Sequence, residues 1–268
     1  GFDVCVAPVD GSGKIDVEAF SELLNADTSF VSVIHVSNET GAVNDIGELA
    51  RLTKRVAPRA LFHSDGVQAG GKIKIDLKSI PVDLYSLSAH KIGAPKGTGA
   101  LYAAKGVHLN PIIVGGGQED GVRSSTENTA GIMAFATAFA AAVPLIEKSA
   151  ERLRAIAAYL RKRLGAFDDV MVISPEDGSP YILSFASASV RGEVIEHALE
   201  REGVLVGTGS ACSSNKSTRR IPEALNLQGK YASGMVRLSF SRFSSMAEAE
   251  EFADKFEKVY KELKRHVG

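Results

Sequence analysis

Ser88-Ala89-His90-Lys91, followed by Gly93-Ala94-Pro95-Lys96-Gly97-Thr98-Gly99, is the stretch that decides how this chain folds. The run before it, Asp83-Leu84-Tyr85-Ser86-Leu87, reads as a strand. The Gly/Pro-rich run after it reads as a loop, so Lys91 stands at a strand's C-terminal end. Open α/β sheets bind their ligands at that edge. Upstream, Ala60-Leu61-Phe62 runs into His63-Ser64-Asp65-Gly66-Val67-Gln68, and an aspartate ending that strand opens onto the same edge. A lysine alone after a strand is ordinarily a solvated surface charge, and Ser-x-His-Lys alone is a weak signal, so the reading rests on what else falls into place.

Working outward, strands and helices alternate. Phe2-Asp3-Val4-Cys5-Val6 alternates like a strand, and Cys5 within it is expected to pack in the core. The turn Asp10-Gly11-Ser12-Gly13 and a helix capped at Asp16 follow. A chain that opens inside a strand suggests a start in mid-domain. Residues 30–36 form a β-rich run, and Asp45 opens an amphipathic helix to about Val56 that Pro58 stops. Strands are expected at 60–63, 84–87 and 100–103, and helices at 129–143 and 146–164. This βαβ rhythm predicts an α/β fold with a mostly parallel sheet. The second half reads as a smaller α+β domain: strands at 170–173, 181–185, 204–206 and 236–239, helices at 193–202 and 246–264. The expected domains are therefore 1–145 and 146–268.

Composition sets limits. The chain has 268 residues, 44% of them hydrophobic, and a formal net charge of −1. It can bury a substantial core, and its charge gives no electrostatic case for nucleic acid or an anionic membrane. The most apolar stretch, residues 130–146, contains Pro144, reads as too short to span a bilayer comfortably and is expected to be a buried helix. The two cysteines make no disulfide framework, which points to a reducing cytoplasm. No metal-ligand spacing is apparent.

A lysine for a Schiff base and an aspartate for a pyridinium nitrogen are the two groups that pyridoxal phosphate (PLP) needs. Gln68 lies three residues after Asp65 and reaches toward the cofactor's phenolic oxygen, or is a solvated helix residue. Ser88 and His90 have donors for a phosphate, against the alternative of a structural bond from His90 to the backbone. Asn38 ends a strand in Val36-Ser37-Asn38-Glu39-Thr40-Gly41 and points to the same edge, or is a turn former. Cys212 lies in Gly209-Ser210-Ala211-Cys212-Ser213-Ser214-Asn215-Lys216, a small polar segment in which a nucleophilic thiol is plausible. Arg237, in Val236-Arg237-Leu238-Ser239, is either a salt-bridge partner or a planar fork for an amino acid's carboxylate.

Six landmarks in this order carry a specific resemblance: His35-Val36-Ser37-Asn38-Glu39-Thr40-Gly41, His63-Ser64-Asp65-Gly66-Val67-Gln68, Ser88-Ala89-His90-Lys91, Gly115-Gly116-Gly117-Gln118-Glu119 with Arg123-Ser124-Ser125-Thr126, Gly209-Ser210-Ala211-Cys212-Ser213-Ser214, and Val236-Arg237-Leu238-Ser239. The chain resembles the cysteine desulfurases of the NifS/IscS type, within the class V aminotransferases of PLP fold type I. The resemblance implies conversion of L-cysteine to L-alanine. In it Lys91 holds the cofactor and moves the α-proton, Asp65 keeps the ring nitrogen protonated, and Gln68 bonds the phenolic oxygen. Ser88 and His90 bind phosphate, with His90 also counted among the catalytic residues. Thr126 reaches the phosphate of a neighbouring subunit, which implies a homodimer. Asn38 contacts the cofactor and, with Arg237, holds the substrate carboxylate. Cys212 takes the sulfur as a persulfide and passes it to a protein acceptor, an iron–sulfur scaffold or a tRNA-thiolation enzyme.

The resemblance also implies a departure. Family members carry a further segment before the point matching Gly1, with the start of the large domain, a Gly/Thr-rich phosphate turn and a histidine that stacks on the ring. A separate N-terminal half is therefore a candidate partner, alongside an inactive C-terminal fragment. A selenocysteine lyase or a small-amino-acid aminotransferase of class V is the other alternative. Cys212→Ala separates the aminotransferase, since transamination survives it and sulfur release does not, while a lyase specific for selenocysteine ignores L-cysteine.

Overall fold

The computed structural model describes residues 1–208, 220–227 and 229–267. In chain order the elements are α1 (Val17–Leu23), β1 (Phe30–Ile34), α2 (Ile46–Val56), β2 (Leu61–Asp65), β3 (Leu84–Ser88), β4 (Gly99–Ala103), α3 (Thr129–Ala142), α4 (Ile146–Leu164), β5 (Val170–Val172), β6 (Ile182–Ser187), α5 (Gly192–Arg201), α6 (Arg220–Ala224), β7 (Met235–Ser239) and α7 (Met246–Val267). The chain divides into two units, one of Leu24–His35 and Asp45–Ile146, the other of Gly1–Leu23, Val36–Asn44 and Glu147–Gly268. One break falls beside the expected 145/146 boundary, while residues 1–23 and 36–44 group with the C-terminal half.

The first unit is built on a mixed sheet in the order β1-β2-β3-β4. β1, β2 and β3 run parallel and β4 is antiparallel at the edge. The register sets Val31 beside Phe62 and Val33 beside Ser64, and all four are buried, so one face of β1 and β2 is a core face. α2 crosses over between these strands, as parallel pairing requires. Asp45 caps it by accepting from the Glu48 N–H at 2.9 Å, and Ile46, Leu49, Ala50 and Leu52 are its buried apolar side. The opposite sheet face carries a polar row: Ser32 meets His63 Nδ1 at 2.9 Å and His63 Nε2 meets Ser86 Oγ at 2.8 Å.

The second unit holds the antiparallel sheet β5-β6-β7. Leu153, Ile156 and Leu160 of α4, Ile195 and Leu199 of α5, and Phe256 and Tyr260 of α7 form its core with Leu183, Phe185 and Val236. β6 is buried at every position, as a central strand covered on both faces must be. Residues 36–44 are fastened here: Ser184 Oγ donates to the Glu39 carbonyl, and Ser179 N–H donates to the Gly41 carbonyl at 2.7 Å.

Several expectations are corrected. Residues 2–6 are not a strand: Phe2 is 86% exposed, Val4 and Val6 85%, and Cys5 is exposed rather than packed in a core. Alternation makes a strand only where a ladder partner exists, and among the described residues none pairs with them. Residues 204–206 also form no strand: Leu205 is 82% exposed, and pairing is limited to one bridge between Gly207 and Arg237. The helix expected to be buried at 130–146 is α3, of which Gly131 and Ala142 alone are buried, because no described layer covers its apolar circumference. The helical run Thr129–Leu164 also contains a stretch apolar enough, by length and composition alone, to cross a membrane, against the expectation of one too short.

Candidate active site

The first unit gathers five of the expected residues at one sheet edge. Asp65 ends β2 and pairs with Ser86 of β3, and side chains two residues apart on a strand share a face, so Asp65, Ser86 and Ser88 lie on one side. Past Ser88 the chain tightens into a 3₁₀ turn, Ala89–Ile92, carrying His90 and Lys91. Gly93 closes that turn at φ 92°, a left-handed position that suits glycine. After β2 the chain turns on Gly66, whose carbonyl accepts the N–H of Ala69 and Gly70 at 2.9 and 2.8 Å, and Asp65 Oδ1 accepts from Val67 N–H at 2.9 Å.

Gly66 is obligatory. A Cβ there would lie 1.9 Å from Cε1 of Tyr85. That ring is fixed in turn: the Tyr85 hydroxyl meets His35 Nδ1 at 2.8 Å, and the His35 N–H donates to the Asp65 carbonyl at 2.9 Å. His35 is 8% exposed. Burial lowers its pKa to about 4 despite the opposing charge of Asp45, so it is neutral at pH 7. Burial and the charge of Asp65 together push the Tyr85 phenol well above its usual range. This buttress under Asp65 went unread in the sequence.

Cations converge beside it. Lys72 donates to Gln68 Oε1 at 2.7 Å. Its pKa falls to about 8 because it is largely buried and because Lys91 is nearby. His90 lies exposed with Nδ1 2.8 Å from Ser88 Oγ. Its pKa is lowered by partial burial and by the charges of Lys91, Lys96 and Lys72. Such a gathering of like charge is relieved by an anion, and a phosphate fits this donor set of hydroxyl, imidazole and ammonium groups. Lys72 was also missed in the sequence; its place four residues after Gln68 is the signal that could have found it. Thr126 sits in the exposed loop before α3, and its side chain makes no hydrogen bond among the described residues.

The second unit gathers Asn38 and Arg237. Arg237 Nη1 donates to the Asn38 carbonyl at 3.2 Å and pairs with Glu39 Oε1 at 3.0 Å. The Asn38 amide donates to the same Glu39 oxygen at 3.3 Å. Both readings of Arg237, ion-pair partner and fork, are open to it, because a guanidinium has five N–H donors. Cys212 lies outside the described residues.

The chain matches the family described as "Aminotransferase class-V" over residues 1–252. The chain belongs to the class-V aminotransferases. Within them it is a homologue of the IscS/NifS cysteine desulfurases. It is 35% identical to the cysteine desulfurase IscS of Dictyoglomus turgidum over 98% of this chain and 67% of the relative. It is 38% identical to a cysteine desulfurase of Sinorhizobium fredii, over 91% of this chain and 63% of the relative. A solved NifS-like protein superposes with a TM-score of 0.90 at 32% identity, covering 97% of this chain and 69% of the other. A NifS-like protein of Rickettsia africae gives 0.86 at 29%, covering 96% and 69%. The α/β class with a mostly parallel sheet and a second small sheet is thus the NifS-like PLP fold, and the chain spans about two thirds of the length of such relatives.

Proposed function

We propose that this chain is a PLP-dependent cysteine desulfurase, or the part of one that carries its lysine and cysteine. The observation that carries the reading is the placement of Asp65, Gln68, Ser88, His90 and Lys91 around the C-terminal ends of two neighbouring parallel strands, within a field of converging cations. Family membership supports the same cofactor, which class-V aminotransferases typically use.

In this reading Ser88, His90 and Lys72 offer donors to the phosphate, Asp65 keeps a proton on the ring nitrogen, Gln68 faces the phenolic oxygen, and Lys91 supplies the amine that attaches the cofactor. When bound, PLP supplies an electron sink for the pair left as the amino acid's α-proton departs. Lys91 carries that proton. Arg237 and Asn38 hold the α-carboxylate and so orient the Cα–H bond. Cys212, as a thiolate, takes the sulfur: the substrate's C–S bond breaks, an S–S bond forms on Cys212, and the β-carbon gains a proton to become the methyl of L-alanine. The overall change, L-cysteine plus Cys212 thiol to L-alanine plus Cys212 persulfide, balances without an external oxidant. The reading includes a homodimer completed through Thr126, a cytoplasmic setting and a protein sulfur acceptor.

The test is the mass of the Cys212 peptide after the chain is incubated with PLP and L-cysteine. A gain of one sulfur, reversed by thiol reduction and absent in Lys91→Ala, is the expected result. The same gain in Lys91→Ala, or without PLP, refutes the mechanism. One observation favours a second reading, in which activity requires a separate polypeptide: α3 exposes most of an apolar surface among the described residues. A gain that appears only when the segment preceding this one in its relatives is co-expressed would select it.

A further inference from the structure

Glu39 has no part in the roles assigned so far, yet it is the most enclosed charge beside them. Its side chain is 8% exposed and that of Arg237 17%. A buried carboxylate is strongly disfavoured unless paired and hydrogen-bonded. Here one oxygen, Oε1, takes both Arg237 Nη1 at 3.0 Å and the Asn38 amide at 3.3 Å. We propose that Glu39 is a positioning residue that fixes the Arg237 guanidinium and the Asn38 amide as one preset clamp for the α-carboxylate of the amino-acid substrate. The proposal rests on the desulfurase reading above.

The geometry supports it from three sides. First, Nη1 donates to the Asn38 carbonyl and is ion-paired with Glu39, while among the described residues the Nε–Nη2 edge, the edge that meets a carboxylate in bidentate fashion, takes no hydrogen bond. Second, that edge runs past Gly207: a Cβ at 207 would stand 3.1 Å from Nη2 and 3.8 Å from Nε, and glycine leaves the space open. Third, the backbones are locked. Gly207 N–H donates to the Arg237 carbonyl at 3.0 Å and Arg237 N–H to the Gly207 carbonyl at 2.6 Å, while Ser184 Oγ donates to the Glu39 carbonyl and the Glu39 N–H donates to Ser37 Oγ at 3.3 Å. Arginine is a long, rotamer-rich side chain, and ordering it before the ligand arrives removes that cost from binding. A lysine at 237 would supply the charge without the fork.

The experiment compares the parent chain with Glu39→Ala and Glu39→Gln, each loaded with PLP, on L-cysteine and on cysteamine, which lacks the carboxylate. Glu39→Ala should raise KM for L-cysteine about tenfold with kcat within about twofold, and leave cysteamine turnover unchanged. Glu39→Gln, which keeps the acceptor oxygen, should recover most of the loss. An unchanged KM, or equal losses on both substrates, overturns the proposal. Independently of activity, the Arg237 guanidinium protons, assigned by their loss in Arg237→Lys, should show hindered rotation by NMR in the parent and in Glu39→Gln but not in Glu39→Ala. The same signals in all three overturn it. Should Glu39→Ala fail to fold by circular dichroism, Glu39→Gln decides: a rise of about threefold in KM for L-cysteine with none for cysteamine supports the proposal, and equal effects refute it. If the parent releases no sulfide, alone or with the preceding segment of its relatives co-expressed, the desulfurase reading itself fails. L-alanine and L-alaninamide titrated against the Arg237 signal then settle the clamp: selectivity for the carboxylate that survives Glu39→Ala overturns it, and selectivity lost supports it.

Discussion

Acidification should weaken this protein through His35 before most carboxylates titrate. The imidazole is buried against the Tyr85 hydroxyl, and its pKa falls from the ordinary 6.5 to about 4. Unfolding returns it to water, so between those values the unfolded chain binds a proton that the folded chain refuses. Stability from this group is therefore fully present above pH 6.5 and is lost as pH falls toward 4. At ~1.4 kcal/mol per pH unit the depression corresponds to about 3 kcal/mol, a large part of the 5–15 kcal/mol typical of a domain. The assay is urea unfolding at steps from pH 7 to pH 4, on the parent and on His35→Asn, which keeps a polar partner for Tyr85 and does not titrate. Carboxylates common to both chains cancel in the difference. The parent's advantage over the variant should shrink by about 3 kcal/mol across that range. Parallel curves, or an imidazole that titrates by NMR near 6.5 in the folded chain, would refute the reasoning.

Other substitutions test other parts. Gly66→Ala drives a methyl into the Tyr85 ring, and should cost about 3 kcal/mol in urea unfolding together with a changed near-ultraviolet dichroism. Lys72→Met removes one of the cations that lower the His90 pKa, so His90 should titrate at higher pH by NMR while affinity for inorganic phosphate falls. Phe256→Ala empties a ring packed against Phe167, Phe185, Phe252 and Tyr260, and should cost about 3–5 kcal/mol, read as a lower denaturation midpoint.

What could be read in the sequence was local chemistry. Asp45 ahead of an amphipathic run and Pro58 beyond it bracket α2 because capping and chain breaking act over a turn or two. Strands β2, β3 and β4 follow from apolar runs between glycine-rich loops, and the edge holding Asp65, Ser88, His90 and Lys91 follows from the parallel order of β2 and β3. What could not be read depends on distant partners. Residues 2–6 and 204–206 carry strand-like patterns but no ladder, since pairing is a property of two segments. The exposure of α3 turns on which layers are present, not on its own composition. Glu39 looks like a turn residue until Arg237, nearly two hundred positions away, is seen to close on it.

The chain leaves the unit of the mixed sheet after His35 and re-enters it at Asp45, having lent nine residues to a unit whose other large part starts at Glu147. During synthesis the strands on either side of that excursion emerge early, and domains tend to fold as they emerge. At that point residues 36–44 can make their local turn, with Ser37 N–H on the Ala42 carbonyl and Gly41 N–H on the Ser37 carbonyl, and the bond from Ile15 N–H to Asn44 Oδ1. Ser179 and Ser184, which hold their backbone, and Arg237, which pairs with Glu39, are still to be translated when β1 and β2 are complete. The excursion must therefore wait for these later contacts, and their formation reports that the C-terminal part of its unit has arrived. No single cut in the polypeptide can separate the two units intact, and a ribosome stalled past Ile146 would carry β1 to β4 with Asn38 and Glu39 still without their arginine.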